Sequence, residues 1–338
     1  MMRAVVLVGG FGTRLRPLTY SVPKPMLPVG HRPIIENLVT MLADAGIEQV
    51  VLALGFKPEP FMQAFPDGVC AGVELHYAVE PEPLDTGGAI RFAAEHAGIT
   101  DTFVVVNGDV LTDLDVASLV EFHRSQTAEA TIHLTPVDDP SAYGVVELDE
   151  SGRVSRFVEK PAPGTAPSNL INAGTYVFEP SVLTRIPTGR KVSIERETFP
   201  QLVADGTLFA MSTDDYWIDT GRPATYSQAN FDVLDGVRAK LRCTEVSSGA
   251  HVDASASVKH SLISAGVTVG AKASVTDSIL IGGAVVADGA AVSGSIVMGR
   301  IDSGASITDC VIGADGVVEA GAQLSGALVP DPNSSNGR

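Results

Sequence analysis

Over the first 110 residues, short apolar runs alternate with amphipathic stretches. Residues 4–8 are continuously apolar, the pattern of a strand covered on both faces in a parallel sheet. Residues 33–45 carry helical spacing, with Pro33 suited to a first turn and Gly46 to a stop. A second apolar strand is predicted at 49–54, a short helix at 58–65 and an alternating strand at 73–79. A helix at 87–97 and a strand at 102–106 complete the series. This alternation predicts an α/β, doubly wound sheet. Such sheets bind ligands beyond the carboxyl ends of their strands. Gly9 and the Asn107-Gly108-Asp109 turn both stand in that position.

The pattern then changes twice. From 130 to 178 it is strand-rich, and these strands are expected to form a lid or subdomain over the sheet. Helices are predicted again at 195–204 and 223–241. After Cys243 no Phe, Tyr or Trp occurs. Aliphatic tetrads begin at 261 (SLIS), 278 (SILI), 295 (SIVM), 310 (CVIG) and 327 (ALVP), a 17-residue period broken by one shortened step. Small residues at corners, with Val or Ile every five or six positions, are what a stacked parallel β-helix needs. The expected domains are therefore 1–242 and 243–330, with a polar, disordered tail at 331–338.

Charge adds a site. The chain carries a formal net charge of −17, which argues against nucleic acid as a partner. Its first 35 residues nevertheless hold Arg3, Arg14, Arg16, Lys24 and Arg32 and no acidic residue. Val8, Gly9, Gly10, Gly12, Thr13, Arg14 and Lys24 form a glycine-rich cationic stretch after a strand, suited to a small polyanion. Glycine lets backbone N–H groups approach phosphate oxygens, and Arg and Lys neutralise their charge. The spacing is neither that of a P-loop nor of the dinucleotide fingerprint. A tight strand-to-helix turn with scattered surface arginines is the competing reading. Cys70, Cys243 and Cys310 are far apart with no metal-type spacing, which suits free thiols in a reducing, cytoplasmic setting. The apolar run at 4–8 is too short for a signal-peptide core. No segment approaches the ~20 apolar residues of a membrane span.

The strings GGFGTRLRPLT, PKPMLPV and PIIE resemble the sugar-1-phosphate nucleotidyltransferases, and among them the mannose-1-phosphate guanylyltransferase branch. The resemblance implies a Rossmann-like mixed sheet followed by a left-handed parallel β-helix. It implies that Asp109 (in VVVNGDV) and Asp219 (in YWIDTGRP, matching W-x-D-x-G) hold Mg²⁺. Sequence distance alone does not pair them. Arg14 and Lys24 would stabilise the triphosphate and the leaving pyrophosphate. Lys160 in FVEKP would hold the sugar phosphate, and Glu159 would accept from sugar hydroxyls. Tyr143 and Gly144 in AYGVVEL and Asn172 in INAGTYVF match sugar-pocket positions, although simple packing serves equally for Tyr143. Thr86, Gly87 and Gly88 would let backbone approach the base, while Asp85 stands where the family more often has Gly.

Glu80 aligns with a Gln that reads the pyrimidine ring in thymidylyl- and uridylyltransferases. An ionised Glu only accepts hydrogen bonds. Guanine offers two adjacent donors, whereas uracil and thymine flank one donor with acceptors. Glu80 therefore favours GTP. The expected reaction joins GTP and mannose 1-phosphate to give GDP-sugar and pyrophosphate. Another base, or another sugar or cyclitol, is the first alternative. A regulatory subunit that only binds GDP-sugar is the second, and it would be expected to have lost some of Arg14, Lys24, Asp109 and Asp219. An acyltransferase in the β-helix needs a catalytic His, and only His251 and His260 lie there, both at its start. The β-helix then reads as structural, or as an assembly surface of a homo-oligomer.

Overall fold

The computed structural model describes residues 2–55, 58–238 and 240–332, so most of the polar tail lies outside the described residues. The chain forms two compact units, one built from Met1–Gly10 and Ile35–Trp217, the other from Phe11–Ile34 and Ile218–Arg338.

The first unit is built on a ten-stranded mixed sheet. Its parallel centre runs Phe103–Asn107, Met2–Leu7, Ile47–Leu54, Val73–Val79. Ala4, Val5, Val6 and Val104 to Val106 are fully buried there, which explains why these strands read as continuous apolar runs. The chain steps outward from Met2–Leu7 on one side, then returns to add Phe103–Asn107 on the other. The strand order reverses between those two strands, where α/β sheets open a crevice at their carboxyl ends.

The strands between 130 and 178 are not a lid. Leu170–Phe178 hydrogen-bonds antiparallel to Phe103–Asn107, and Gly144–Leu148, Val154–Glu159 and Ala130–Pro136 continue the same sheet. Leu208–Ser212 pairs parallel to Ala130–Pro136. Tyr176 and Phe178 stack 5.5 Å apart, and both meet Phe199 edge-on, so these strands share one aromatic core. A strand buried on both faces gains more than one laid over a crevice.

The second unit begins with the segment 11–34, whose only helical pieces are the 3₁₀ turns Thr13–Leu15, Leu18–Tyr20 and Lys24–Met26. Its helix Pro223–Leu234 stops earlier than the spacing predicts. Gly236 takes φ +73°, and the Arg242 guanidinium fills the place where a Cβ would stand. Three five-stranded parallel sheets follow and make the β-helix. Val269, Val286, Ile301 and Val318 stack in one inward column, and Ile263, Leu280, Val297 and Ile312 in another. The shortened step places Cys310 15 residues after Ser295, against 17 elsewhere. Among the described residues no helix is long and apolar enough to cross a membrane.

A buried ladder ties the coils together. Ser278 and Ser295 donate their backbone N–H groups to Oγ of Ser261 and Ser278, and Cys310 N–H to Ser295 Oγ. Ser278 Oγ in turn donates to Thr276 O at 2.7 Å. Replacing Ser278 by Ala strands the buried Ser295 N–H. A loss of about 1–3 kcal/mol is expected, read as a lower denaturation midpoint. An unchanged midpoint would show that the ladder carries no stability.

Candidate active site

In the first unit the site residues gather at the carboxyl ends of the central strands. Val8 N–H donates to Ala53 O at 3.0 Å, which delivers Gly9 against Gly55. A Cβ on Gly55 would lie 2.8 Å from Gly9 O, so the two backbones meet with no room for side chains. Around Gly10 a Cβ would meet nothing within 4 Å. Gly108 N–H donates to Leu7 O at 2.8 Å. A Cβ there would come 2.6 Å from that same oxygen and 2.7 Å from Val8 Cγ1. Gly108 thus lets the 108–109 turn, with Asp109, fold flat against the strand that leads into the glycine loop.

Glu80 follows the Val73–Val79 strand and is buried, 7% exposed. Its Oε2 accepts the Leu84 N–H at 2.7 Å, and its Oε1 would lie 3.5 Å from a Cβ on Gly9. Burial pushes its carboxyl above the usual range, against the pull of the Leu84 N–H, and Asp85 adds to the rise. The helix Asp85–His96 begins with Asp85 at φ +62°, where its Oδ1 accepts the Thr86 N–H at 2.8 Å. Asp tolerates this left-handed backbone better than most side chains, which accounts for its standing in a glycine's place. The close approach at Gly87 is made by the protein itself. Its N–H donates to Val192 O at 2.8 Å, and a Cβ would lie 3.0 Å from that oxygen. Thr86 Oγ1 donates to Glu195 Oε2 at 2.8 Å and accepts the Ile194 N–H at 2.9 Å. Glu195 was invisible to sequence reasoning, because nothing in KVSIERETFP marks it as the anchor of residue 86.

The positions expected to line a sugar pocket lie further along the sheet. Lys160 takes φ +48°, and its N–H donates to Tyr143 O at 3.0 Å. Its ammonium lies 3.4 Å from Glu159 Oε1. Burial, and then Glu195, raise the Glu159 carboxyl, while Lys160 opposes them. A Cβ on Gly144 would strike the Phe157 ring at 2.5 Å and approach Glu159 Oε2 at 3.1 Å. Tyr143 meets Trp217 edge-on at 5.6 Å, and the Trp217 indole N–H donates to Ala173 O at 2.9 Å. The Asn172 amide is committed to the fold: it donates to Tyr176 OH at 2.9 Å and accepts the Gly174 N–H at 3.0 Å.

In the second unit, Arg14, Lys24 and Asp219 come together. Lys24 is only 6% exposed, and its ammonium lies 3.4 Å from Asp219 Oδ1. Asp219 Oδ1 also accepts the Gly221 N–H at 2.8 Å, and Oδ2 lies 4.0 Å from the Arg14 guanidinium. A Cβ on Gly221 would lie 2.7 Å from Arg14 Nη2 and 2.8 Å from Asp219 Oδ1, which is why W-x-D-x-G ends in glycine. Gly12 takes φ +58° and lies so close to Thr19 and Lys24 that a Cβ would come within 2.9 and 3.3 Å of them. Thr13 and Arg14 form the 3₁₀ turn that follows. The cationic run is not one patch, however. Arg3 caps the end of the Asp85–His96 helix through Ala97 O and Gly98 O at 2.9 and 3.0 Å. Arg16 lies over the Tyr20 ring, 5.1 Å from its centroid.

The chain belongs to the nucleotidyl transferase family, whose pattern matches residues 3–236. A mannose-1-phosphate guanylyltransferase of Mycobacterium tuberculosis is 47% identical over 69% of this chain and 65% of its own length. A probable mannose-1-phosphate guanylyltransferase 1 of Oryza sativa subsp. japonica is 44% identical over 74% of this chain and 70% of its own. Among solved structures, HddC from Yersinia pseudotuberculosis complexed with GMP-PN matches at 31% identity and a TM-score of 0.58. It covers 68% of this chain and 98% of that one. Nucleotidyltransferases of this family use a divalent metal ion.

Glu80 yields a pH test. Its folded pKa is raised, so between the unfolded and folded values the folded state holds a proton that the unfolded chain has lost. Its contribution to stability is therefore full at acid pH and falls as pH rises through the folded value. Glu80→Gln should be more stable than the wild type above that pH, and the gap should close below it. Denaturation midpoints of both proteins between pH 4 and 8 measure this; a pH-independent gap would contradict it.

Proposed function

We propose that this chain transfers a guanylyl group from GTP to mannose 1-phosphate, giving GDP-mannose and pyrophosphate. The observation that carries the reading is the gathering of Arg14 and buried Lys24 around Asp219. This is a cation pair held by an anion, suited to a triphosphate that brings more negative charge. The activities for which these relatives are named and the nucleotide-bound neighbour support the same assignment.

A phosphate oxygen of the sugar 1-phosphate attacks the α-phosphorus of GTP in line. The new P–O bond forms as the α–β bridge breaks, and the electron pair leaves on pyrophosphate. The groups assigned here act by positioning and charge neutralisation. Arg14 and Lys24 neutralise the triphosphate and the departing pyrophosphate. The backbone of Val8, Gly9, Gly10, Gly12 and Thr13 holds the phosphates. Lys160 orients the attacking phosphate, and Glu159 accepts from the sugar. Tyr143, Gly144 and Asn172 shape the pocket around it. Glu80 accepts from guanine, beside the helix start at Thr86 and Gly87.

We assign Mg²⁺ to the carboxylates of Asp109 and Asp219. The donor chemistry fits, since Mg²⁺ takes one or two carboxylates and completes its shell with phosphate oxygens and water. Asp219 Oδ2 is 4.0 Å from the nearest Arg14 nitrogen, outside hydrogen-bond reach of it. When bound, the ion would supply further charge neutralisation on the phosphates. Residues 1–242 are the proposed catalytic domain, and 243–330 a β-helix that is structural or serves assembly as a homo-oligomer. Three free cysteines support a cytoplasmic setting.

Pyrophosphate release decides the reading, with GTP, UTP, dTTP, ATP and CTP crossed against mannose, glucose and glucosamine 1-phosphates. GTP with mannose 1-phosphate should turn over fastest, and Glu80→Gln should weaken GTP. Preference for UTP or dTTP would remove Glu80 as the reader of the base. Asp219→Ala should lower kcat by ~10²–10³ with an unchanged circular dichroism spectrum. Near-normal turnover would remove Asp219 from the site.

A further inference from the structure

On one sheet of the β-helix two outward columns are buried, and the segment 11–34 meets one of them. Ser264, Ile281, Met298 and Gly313 each follow an inward residue of one sheet (Ile263, Leu280, Val297, Ile312) and therefore point away from the interior. Ser264, Ile281 and Met298 are nevertheless 9%, 1% and 5% exposed. The segment 11–34, which carries Arg14 and Lys24, touches this column at both ends. His31 Nδ1 lies 3.4 Å from Ser264 Oγ, and His31 Nε2 lies 2.8 Å from Thr244 O. Three coils further on, Gly313 faces Pro17.

The contact at Gly313 is steric. Gly313 is not among the residues with positive φ, so its backbone conformation does not require glycine. A Cβ on it would lie 2.9 Å from Pro17 Cβ, 2.9 Å from Pro17 O and 3.2 Å from Pro17 C. Two of those atoms are backbone and cannot rotate aside. Pro17 belongs to a tight body. Its carbonyl accepts the Tyr20 N–H at 3.2 Å, and the Arg16 N–H reaches back to Thr13 O at 3.3 Å across Arg14. Thr19 Oγ1 donates to Gly12 O at 2.8 Å, and Gly12 is wedged against Thr19 and Lys24. A push on Pro17 is passed to the turn that holds Arg14.

We infer that Gly313 is a positioning residue for nucleotidyl transfer: the β-helix is the seat of the triphosphate-binding segment, and Gly313 sets the height at which Pro17, and through it Arg14, rests. This rests on the reading under Proposed function. It differs from a purely stabilising role because it acts on one substrate.

The test uses the intact chain. Gly313→Ala is compared with Ala314→Val, at the neighbouring exposed position. A misplacement of about 1 Å can cost ~10²-fold, so Gly313→Ala should lower kcat/KM for GTP roughly ten- to a hundredfold. KM for mannose 1-phosphate should stay at its wild-type value, as should every parameter of Ala314→Val, while the strain lowers the melting temperature of Gly313→Ala modestly. Adding Pro17→Gly, which removes the opposing Cβ, should recover part of the loss. The inference is overturned if Gly313→Ala keeps wild-type GTP kinetics, or if KM for GTP and KM for mannose 1-phosphate change to the same extent. If the wild type turns over no substrate pair, the proposed function fails instead. Equilibrium binding of inorganic triphosphate to wild type and Gly313→Ala then still decides the positioning role, because equal affinities would overturn it.

Discussion

An ammonium group shut away from water needs an anion, and in this chain that need joins residues 195 positions apart. Lys24 is nearly buried, and Asp219 stands against it. Leaving one partner of such a pair alone is costly, on the order of 3–5 kcal/mol. The segment carrying Lys24 has little regular structure of its own, so its order comes from outside. Tyr226 OH donates to Pro28 O at 2.5 Å, the Asn230 carboxamide accepts the Gly30 N–H at 3.2 Å, and the β-helix meets both His31 and Pro17. The cationic cluster is stable because everything around it is braced to keep it so.

Much of this fold was legible from the chain. Central strands declare themselves because burial on both faces demands unbroken apolar runs, and Val73–Val79 falls where its alternation placed it. The β-helix declares itself because each coil repeats the last. What stayed hidden is non-local. A strand pattern does not record its neighbour, so the strands after residue 130 looked like a separate lid although they extend the central sheet. The helix from Pro223 was read too long, because the spacing does not show that Arg242 claims the space beside Gly236. Arg3 was counted with a phosphate-binding run, whereas its guanidinium caps a helix end.

The glycines make the same point. Each is visible in the sequence, but the atom that requires it is not. Gly108 yields to a carbonyl of the first strand, Gly221 to Arg14 and Asp219, and Gly313 to Pro17. Conversely, Asp85 occupies a left-handed turn where glycine would be expected, and its own carboxylate helps hold that turn. Residue type records that room is needed; only the folded chain says for what.

The segment 11–34 rests on coils three rungs apart, Ser264 below and Gly313 above. With strands about 4.8 Å apart, those rungs make the β-helix a ruler of fixed length. A coil gained or lost between these positions would shift the anchors by a full step, which a segment this tightly tied cannot absorb. Coils added beyond Gly313 would leave that spacing untouched. The outer coils are open to invention, while the inner ones are held to a single count.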